Sequence, residues 1–269
     1  MPSSTASVGR STSQVRRSRT GYGDAVSLTD DFRSAVDGEE RVDGPELLPT
    51  VLAEACVQVL QVGGAGLSVT RAVGSPRALR VPIGASDETA ARAERLQTSL
   101  GEGPCLTATG AAEPVTADAA SIAARWPVFH AELTAQTPFR SVASLPLRWR
   151  EPAEPVAALD LYLTSPDAPS PRLLSGGIVE TIADMLFTST DSVERRGTWL
   201  PAWMASPGAR RRMNVWVAVG ILTGHAGLAS GDALALLRAY AFGHDVTLDD
   251  LAESMSSQQL DPETVLGFN

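Results

Sequence analysis

The sequence of 269 residues predicts an α+β domain followed by a small all-α module. Three observations lead to this prediction. Between residues 45 and 190, segments with apolar residues at helical spacing alternate with segments of period two. The last two strand-like segments lie close together along the chain, which favours a mainly antiparallel sheet. From residue 214 to 255 only helical patterns remain, each with its own start and stop signals.

The composition is that of an ordinary soluble globular protein. Hydrophobic residues make up 43% of the chain and charged residues 20%. No apolar run reaches the length of a membrane span, and the N-terminus lacks the apolar core of a signal peptide. Cys56 and Cys105 are too few for a disulfide framework. We therefore expect a cytoplasmic protein that does not bind membranes.

The N-terminal residues 1–40 are predicted to form a disordered or poorly ordered tail. Residues 1–21 contain four arginines and no acids, and they have little apolar content. An organelle-targeting peptide and a weak electrostatic contact with nucleic acid remain open as alternatives.

The first half of the α+β region is expected to contain two helices and two strands. Pro45 opens a helix, and Ser86 caps a second helix that stops before Gly101. The strand-like segments are 65–73 and 78–83. The glycines at 63, 64 and 66 fit a helix-to-strand turn better than a phosphate-binding loop, because a strand should precede such a loop.

The second half of this region is expected to contain three strands and two helices. They are a short strand at 114–118, a helix at 119–136, strands at 141–149 and 155–163, and a long helix from about 171 to 195. In the last strand Leu159 and Leu161 share one face, with Asp160 and Tyr162 opposite.

Residues 214–255 are predicted to form three short helices. Gly224 and Gly227 end the first, and Ser230 caps the second, which stops at Gly243. Thr247 opens the third helix with a capping box closed by an aspartate three residues later.

Two family resemblances follow from these motifs. The run LQTSLGEGPCLTA at 96–108, followed by ARWPVF at 124–129 and by SLPLRW and ALDLYL, resembles a GAF domain of actinobacterial regulators. The resemblance implies a mainly antiparallel six-stranded sheet flanked by helices. It also implies a sensor of small molecules such as cyclic nucleotides, haem or bilins, or a dimerisation scaffold that binds none.

The C-terminal helices resemble the ANTAR domain. The residues that carry this resemblance are Ala218-x-Gly220-Ile221-Leu222, Ala233-Leu234-x-x-Leu237-Arg238-x-Tyr240-Ala241 and Leu248-x-x-Leu251-Ala252. The family consists of three-helix modules that bind RNA stem-loops in nascent transcripts and control transcription termination. The resulting division is a GAF domain at 45–195, a linker at 196–209, an ANTAR domain at 210–256 and a C-terminal tail at 257–269.

Residues for RNA binding are expected on the first two C-terminal helices. They are Arg210, Arg211, Arg212, Asn214, Ala218, Gly220, Arg238 and Tyr240. The arginine triplet either faces phosphates or is a solvated helix start, and both interpretations remain open. Trp199 and Trp203 are expected to pack the linker against the preceding domain.

No enzyme, metal site or certain cofactor is expected. Cys105 lacks a neighbouring base in the sequence, and the three histidines have no metal-ligand spacing. The predicted function is therefore an antiterminator that works as a homodimer, joined through the 171–195 helix, with or without a small-molecule ligand in the GAF pocket.

Two alternative functions remain open: a DNA-binding transcriptional regulator, and a protein-binding signalling scaffold without RNA affinity. The scaffold is favoured by Val217, which stands where the family usually has a polar residue. The acidic balance of residues 196–269, with five arginines and seven acids, points the same way. The net charge of −9 also restricts any RNA contact to a local patch.

Overall fold

The N-terminal two thirds of the protein are built on an antiparallel sheet. A computed structural model describes residues 20–38, 44–71, 79–148, 155–174, 177–189, 192–195 and 198–267. The sheet order is β2-β1-β5-β4-β3, and every neighbouring pair is antiparallel. The strands are β1 (Gly64–Arg71), β2 (Leu79–Ala85), β3 (Val115–Ala117), β4 (Ser141–Leu147) and β5 (Ala157–Leu163). The chain therefore forms an α+β domain with a mainly antiparallel sheet.

Helices cover both faces of this sheet. One face packs against α2 (Leu48–Leu60) and α7 (Ile178–Thr188), and α1 (Thr20–Gly38) packs on these two helices. The other packs against α3 (Glu88–Leu100) and α4 (Pro104–Ala111), with α5 (Ala119–Arg125) and α6 (Pro127–Gln136) beyond them. Short 3₁₀ helices lie at Pro45–Leu47, Pro171–Leu174 and Ala202–Ala205.

The two faces of the sheet differ in chemistry. The face toward α2 and α7 is mostly apolar and includes Leu67, Leu145, Leu159 and Leu161. The other face carries polar side chains at its centre, although these are also buried. The alternation expected in the last strand is confirmed, but both of its faces are buried because helices cover the sheet on both sides.

A hairpin leads to the C-terminal helices. It consists of β6 (Ser192–Arg195) and β7 (Thr198–Pro201). The helices that follow are α8 (Pro207–Ala226), α9 (Ser230–Gly243), α10 (Leu248–Ser256) and α11 (Pro262–Leu266). They share an apolar core of their own, centred on Val215, Leu222, Leu237 and Leu251. We call these four helices the helical module.

The expected helix signals of the module are mostly present. Gly227 ends α8 in a left-handed conformation with φ of 66°. Thr247 Oγ1 accepts a hydrogen bond from the Asp250 amide at 3.1 Å, so the predicted N-cap is confirmed. Asp250 Oδ2 accepts from the Thr247 hydroxyl at 2.7 Å, whereas in a complete capping box it would accept from the Thr247 amide. The cap of α9 is Ala229, because Ser230 is already the first helical residue.

The N-terminal tail and the C-terminal tail were predicted wrongly where the structure describes them. Residues 20–38 form α1, whose Phe32 and Val36 are buried in the main core. The predicted tail at 257–269 contains α11, whose Val265 is buried in the core of the module. Residues 1–19 lie outside the described part of the chain, and so do residues 268 and 269.

Two helix predictions were wrong for local reasons. The helix expected over 119–136 is two helices, because Pro127 cannot continue the hydrogen-bond pattern of α5 and starts α6 instead. The helix expected over 171–195 is interrupted by Gly177, which has φ of 75°, so α7 begins only at Ile178. It ends at Thr188 and is followed by β6.

The linker and the strand count also differ from expectation. Residues 198–209 form β7, a 3₁₀ helix and the first turn of α8, so the region predicted as a linker is largely structured. In the described ranges the main sheet has five strands, where the GAF resemblance implies six.

No single helix among the described residues is both long and apolar enough to cross a membrane. The α8 and α9 pair passes that test only when the two are taken together, and they meet at 112°.

Candidate functional site

A cluster of polar side chains is buried between the sheet and α3. Strands β1, β2, β4 and β5 direct these side chains to one face, as the register Gly66↔Asp160 and Ser144↔Asp160 requires. Helix α3 contributes two more from the opposite side. All of them are buried, and we call them the polar cluster: Ser68, Arg80, Glu94, Gln97, Ser144, Asp160 and Tyr162.

Arg80 is the cationic centre of the polar cluster. Its Nη1 donates to the Cys105 carbonyl oxygen at 3.1 Å and to Thr109 Oγ1 at 3.3 Å. Its Nη2 donates to Ser68 Oγ and lies 4.0 Å from Asp160 Oδ2. The guanidinium therefore joins the sheet to the beginning of α4.

Asp160 and Gln97 connect the sheet to α3. Ser144 Oγ donates to Asp160 Oδ1, and Gln97 Nε2 donates to Asp160 Oδ2 at 3.3 Å. The same amide nitrogen donates to Tyr162 Oη at 2.9 Å, and Gln97 Oε1 accepts from the Cys105 amide at 3.0 Å. A single side chain of α3 thus bridges β5 and the start of α4.

Glu94 is the second acid of the polar cluster. Its Oε1 accepts a hydrogen bond from Tyr162 Oη at 2.7 Å. Burial raises the pKa of Glu94 well above its ordinary value, and the nearby charge of Asp160 raises it further. Arg80 opposes this shift but does not cancel it. These influences favour the protonated form of Glu94, in which the carboxyl group can donate a hydrogen bond.

Two atoms of the polar cluster have no hydrogen-bond partner among the described residues. They are Arg80 Nε, which is a donor, and Glu94 Oε2, which carries or accepts a proton. A buried polar atom without a partner costs about 1 to 3 kcal/mol, so native proteins rarely leave one unsatisfied without a reason. These two atoms are the polar positions of the cluster at which a further hydrogen-bond partner would be stabilising.

Glycines provide the space in which the polar cluster sits. A Cβ on Gly66 would lie 2.5 Å from Glu94 Cγ, and one on Gly103 would lie 2.4 Å from Gln97 Oε1. Gly103 also has φ of 140°, which side-chain-bearing residues rarely adopt. Gly66, one of the three glycines at the predicted helix-to-strand turn, therefore also makes room for α3.

Cys105 behaves as a buried packing residue. It lies at the first turn of α4, and burial raises the pKa of its thiol well above the ordinary value. A protonated thiol is a poor nucleophile. In the described part of the chain no group of three His, Cys, Asp or Glu side chains is placed to hold a metal ion.

The helical module docks next to the polar cluster through Arg212. This residue is 1% exposed. Its Nε donates to the Arg80 carbonyl oxygen at 3.2 Å, and its Nη2 donates to the Thr98 carbonyl oxygen at 3.2 Å. Its Nη1 donates to Asp249 Oδ2 of α10 at 3.1 Å. One guanidinium thus joins β2, α3 and α10.

Arg238 of α9 reaches the same acceptor. Its Nη2 donates to the Thr98 carbonyl oxygen at 3.2 Å. A Cβ on Gly101 would lie 2.6 Å from Arg238 Nη1, so the glycine after α3 leaves room for the arginine. The Leu248 amide donates to Ser99 Oγ at 3.3 Å, which adds a third contact to the last turn of α3. We call these contacts the docking interface.

The predicted RNA-binding residues are divided between three environments. Arg210, Arg211 and Gly220 are exposed, and Asn214 is half-buried. Arg212 and Arg238 lie in the docking interface. Two further residues, Ala218 and Tyr240, are buried in the module core.

The environment of Tyr240 also limits how far its ring can contact RNA. Its ring stacks on His244 with the ring centroids 3.9 Å apart. The predicted residues therefore do not form one continuous surface in this conformation, although Arg212 and Arg238 do converge on one oxygen.

Two cavities border the docking interface. One of about 970 Å³ lies between α3, α6 and α9 and is lined by residues that include Leu100, Val128 and Phe242. The other, of about 270 Å³, lies between β2, α3 and α8, where Glu94 and Arg211 both contribute to its wall. Glu94 thus belongs both to the polar cluster and to a crevice at the module.

Trp203 confirms the packing role predicted for it. Its Nε1 donates to the Leu186 carbonyl oxygen at 3.0 Å, and its ring meets Phe187 edge to face at 6.3 Å. The side chain of Trp199 lies outside the described residues.

The fold and the site define an α+β domain with a buried polar cluster and a docked helical module. The chain is similar to the GAF domain of a phosphoenolpyruvate-protein phosphotransferase from Coxiella burnetii (TM-score 0.42, 13% identity, 60% of this chain and 92% of that one). It is also similar to the corresponding Acinetobacter GAF domain (0.40, 12%, 61% and 97%). A third similar structure is Escherichia coli SdiA (0.42, 12%, 86% and 94%). No protein-family model and no curated protein matches the chain.

Sequence reasoning missed the polar cluster almost entirely. Asp160 and Tyr162 were placed on the correct face, but nothing in the period-two pattern distinguishes a buried polar face from a solvated one. The available signals were Arg80 and Asp160 inside otherwise apolar strands, because an isolated charge there needs a partner.

Proposed function

We propose that this protein is a cytoplasmic, signal-responsive regulator. In this proposal the α+β domain acts as a GAF-type sensor, and the helical module acts as an ANTAR-type head that binds RNA stem-loops and controls transcription termination. The observation that carries the proposal is the convergence of Arg212 and Arg238 on the Thr98 carbonyl oxygen. Docked and RNA-bound states would then use the same two guanidinium groups.

The chemistry of the docking interface supports this competition. Thr98 lies in the last turn of α3, where carbonyl groups carry the partial negative charge of the helix dipole. Guanidinium groups bind phosphate oxygens through the same donors that they offer to carbonyl oxygens. The end of α3 therefore occupies the arginines as a phosphate would, and undocking would release them for RNA.

The polar cluster supports the sensory part of the proposal. It contains one buried donor and one buried carboxyl oxygen without a partner among the described residues, and the raised pKa of Glu94 favours its neutral form, which suits a small polar ligand. The Arg80 side chain lies in the cluster while its carbonyl oxygen accepts from Arg212. Gln97 lies in the cluster while the next residue, Thr98, supplies the shared acceptor. A ligand that moves Arg80 or Gln97 would thus change the docking interface, which is a population shift between docked and released modules.

A larger side chain at residue 208 tests the proposal without altering any arginine. Gly208 is the second residue of α8, and a Cβ there would lie 2.8 Å from the Pro82 carbonyl oxygen. Gly208→Val should therefore push α8 away from β2. Gly231→Val is the matched control, because Gly231 is the second residue of α9 and no described atom lies within 4 Å of its Cβ position.

Binding is measured with the full chain, a fluorescently labelled RNA hairpin and unlabelled duplex DNA as competitor. Hydrogen exchange around Leu248 reports undocking. A net loss of about 1.4 kcal/mol of docking free energy changes RNA affinity about tenfold, and each charged hydrogen bond at the interface is worth about 1.5 to 3 kcal/mol. We therefore expect Gly208→Val to bind RNA at least about tenfold more tightly, with Gly231→Val unchanged. The salt slope should steepen by about 0.7 to 0.9 for each additional phosphate contact.

Two results would contradict the proposal. Faster exchange around Leu248 without a gain in RNA affinity would remove RNA as the partner of the released arginines. Equal competition by duplex DNA would favour the DNA-binding alternative instead.

A protein-binding output is the second candidate function. The observation that favours it is Val217, which is 48% exposed on a module with more acids than arginines. If the undocked Gly208→Val variant retains a protein partner from the same cells but binds no RNA hairpin, this candidate replaces the first.

A further inference from the structure

The outward face of α8 has an apolar and glycine-rich surface. Val217 is 48% exposed and Met213 is 37% exposed. Gly220 and Gly224 lie on the same side. Apart from adjacent residues and the nearby backbone of α8 itself, no described atom lies within 4 Å of either Cβ position. Arg210 is exposed at the N-terminal end of this face. The opposite side of α8 is buried in the core of the module.

The spacing of the exposed positions along this face is the same when read from either end of the helix. Its positions are separated by three, four, three, four and three residues: Arg210, Met213, Val217, Gly220, Gly224 and Gly227. If a second α8 is laid antiparallel on the first, Val217 lies opposite Gly220 and Met213 lies opposite Gly224. Each bulky side chain then meets a position without a side chain.

We infer that two copies of this chain pair through α8, antiparallel about a twofold axis between Ala218 and Val219. An interface of this kind is isologous, so each contact occurs twice. Glycines weaken a helix when they are exposed in its interior. In the pair they allow the two backbones to approach closely while Val217 fills the space above Gly220.

The charges at the helix ends favour the antiparallel arrangement. Arg210 lies in the first turn of α8, where the helix dipole disfavours a cation. In the antiparallel pair it reaches Gly227 of the second copy, at the carbonyl end of that helix. The exposed Glu263 lies nearby, with Oε1 3.9 Å from His225 Nε2 in the last turn of α8. A parallel pair would instead place Arg210 on Arg210 and Val217 on Val217.

This face is separate from the docking interface. Successive helical residues are rotated by about 100°, so Arg212 lies on the far side of α8 from Val217. Pairing therefore leaves the docked arginines in place, and the inference does not depend on the proposed RNA binding. It does cover Arg210 and Gly220, two of the residues predicted for RNA.

Disulfide cross-linking of the full chain distinguishes the two orientations. Both native cysteines, Cys56 and Cys105, are buried, so only an introduced thiol is accessible. In the antiparallel pair two copies of residue 217 are offset along the axis by about 4.5 Å, and two copies of residue 213 by about 16 Å. Val217→Cys should therefore form a covalent dimer under mild oxidation, whereas Met213→Cys should not.

Sedimentation of the chain without introduced cysteines provides the second measurement. We expect a dimer that Val217→Glu converts to a monomer, because the substitution places two like charges near the axis. Ala235→Glu on the exposed side of α9 is the control and should remain dimeric. A monomer at all accessible concentrations would overturn the inference.

Two further outcomes would also overturn it. One is cross-linking of Met213→Cys in preference to Val217→Cys, which would indicate a parallel pair. The other is a dimer that persists in Val217→Glu, which would move the contact to another surface, such as the predicted 171–195 segment.

Discussion

Replacing Glu94 by glutamine should change how the stability of this protein depends on pH. Burial and the charge of Asp160 raise the pKa of Glu94 well above 4.5, its ordinary value. The folded protein therefore keeps this proton at pH values where the unfolded chain has lost it. A glutamine at this position would present the same shape without a proton to lose, and its side-chain oxygen can still accept the hydrogen bond from Tyr162.

The sign and size follow from proton linkage. Because the folded state binds more protons than the unfolded state above pH 4.5, the free energy of unfolding falls as pH rises through the window that ends at the folded pKa. Within this window the contribution of Glu94 decreases by about 1.4 kcal/mol for each pH unit. Glu94→Gln removes that decrease, so the stability of the variant relative to the unmodified protein should increase as pH rises above 4.5.

Urea unfolding of both proteins between pH 4 and pH 8 measures this difference. Titrating groups far from Glu94 act equally on both, so the difference between the two curves reports on Glu94 and the charged groups beside it. Glu88→Gln is the control, because Glu88 is exposed and its ion pair with Arg95 lies at the surface. Two parallel curves for Glu94→Gln and the unmodified protein would refute the reasoning, since they would show that Glu94 titrates alike in the folded and unfolded states.

Two substitutions test the packing around the sheet. Gly84→Ala should destabilise the fold by about 1 to 3 kcal/mol, because its Cβ would lie 2.4 Å from the Pro49 carbonyl carbon. Gly110→Ala is the control and should not destabilise the fold, because no described atom lies within 4 Å of its Cβ position. Thermal unfolding measures both. Trp203→Phe should cost about 1 to 3 kcal/mol in urea unfolding, because it leaves the Leu186 carbonyl oxygen without its donor. An unchanged midpoint for Trp203→Phe would mean that another donor replaces the indole.

The order of helices and strands followed well from sequence where one local signal dominates. The α3 helix ends at Gly101 in a left-handed conformation, as the glycine predicts, and Thr247 forms the expected N-cap of α10. Two other signals were outweighed. Pro127 divides a helix whose apolar pattern continues on both sides of it, and Gly177 delays the start of α7. In both cases backbone restriction decided the structure against the side-chain pattern.

The arginine triplet illustrates why the site was harder to predict than the fold. Three successive helical residues are spread over about 200° of the helix, so they cannot share one face. Arg210 and Arg211 are exposed while Arg212 is buried. That division could have been inferred from the period of the helix alone. The sequence does not reveal which of the three arginines contacts the α+β domain. That choice depends on the carbonyl oxygens of Thr98 and Arg80, and every residue has a carbonyl oxygen.

The connection between polar cluster and docking interface follows from the two elements that they share. On α3, Gln97 bonds to Asp160 in the cluster, and the adjacent Thr98 accepts from Arg212 at the interface. On β2, Arg80 contributes its side chain to the cluster and its carbonyl oxygen to the interface. Helix and strand are rigid over one or two residues, so a displacement in the cluster reaches the interface with little loss. Because coupling between two sites is reciprocal, a molecule that binds more tightly to the cluster of the undocked form must also favour undocking. Any partner that selects the undocked module, such as the RNA of the proposed function, would in turn raise the affinity of the cluster for that molecule.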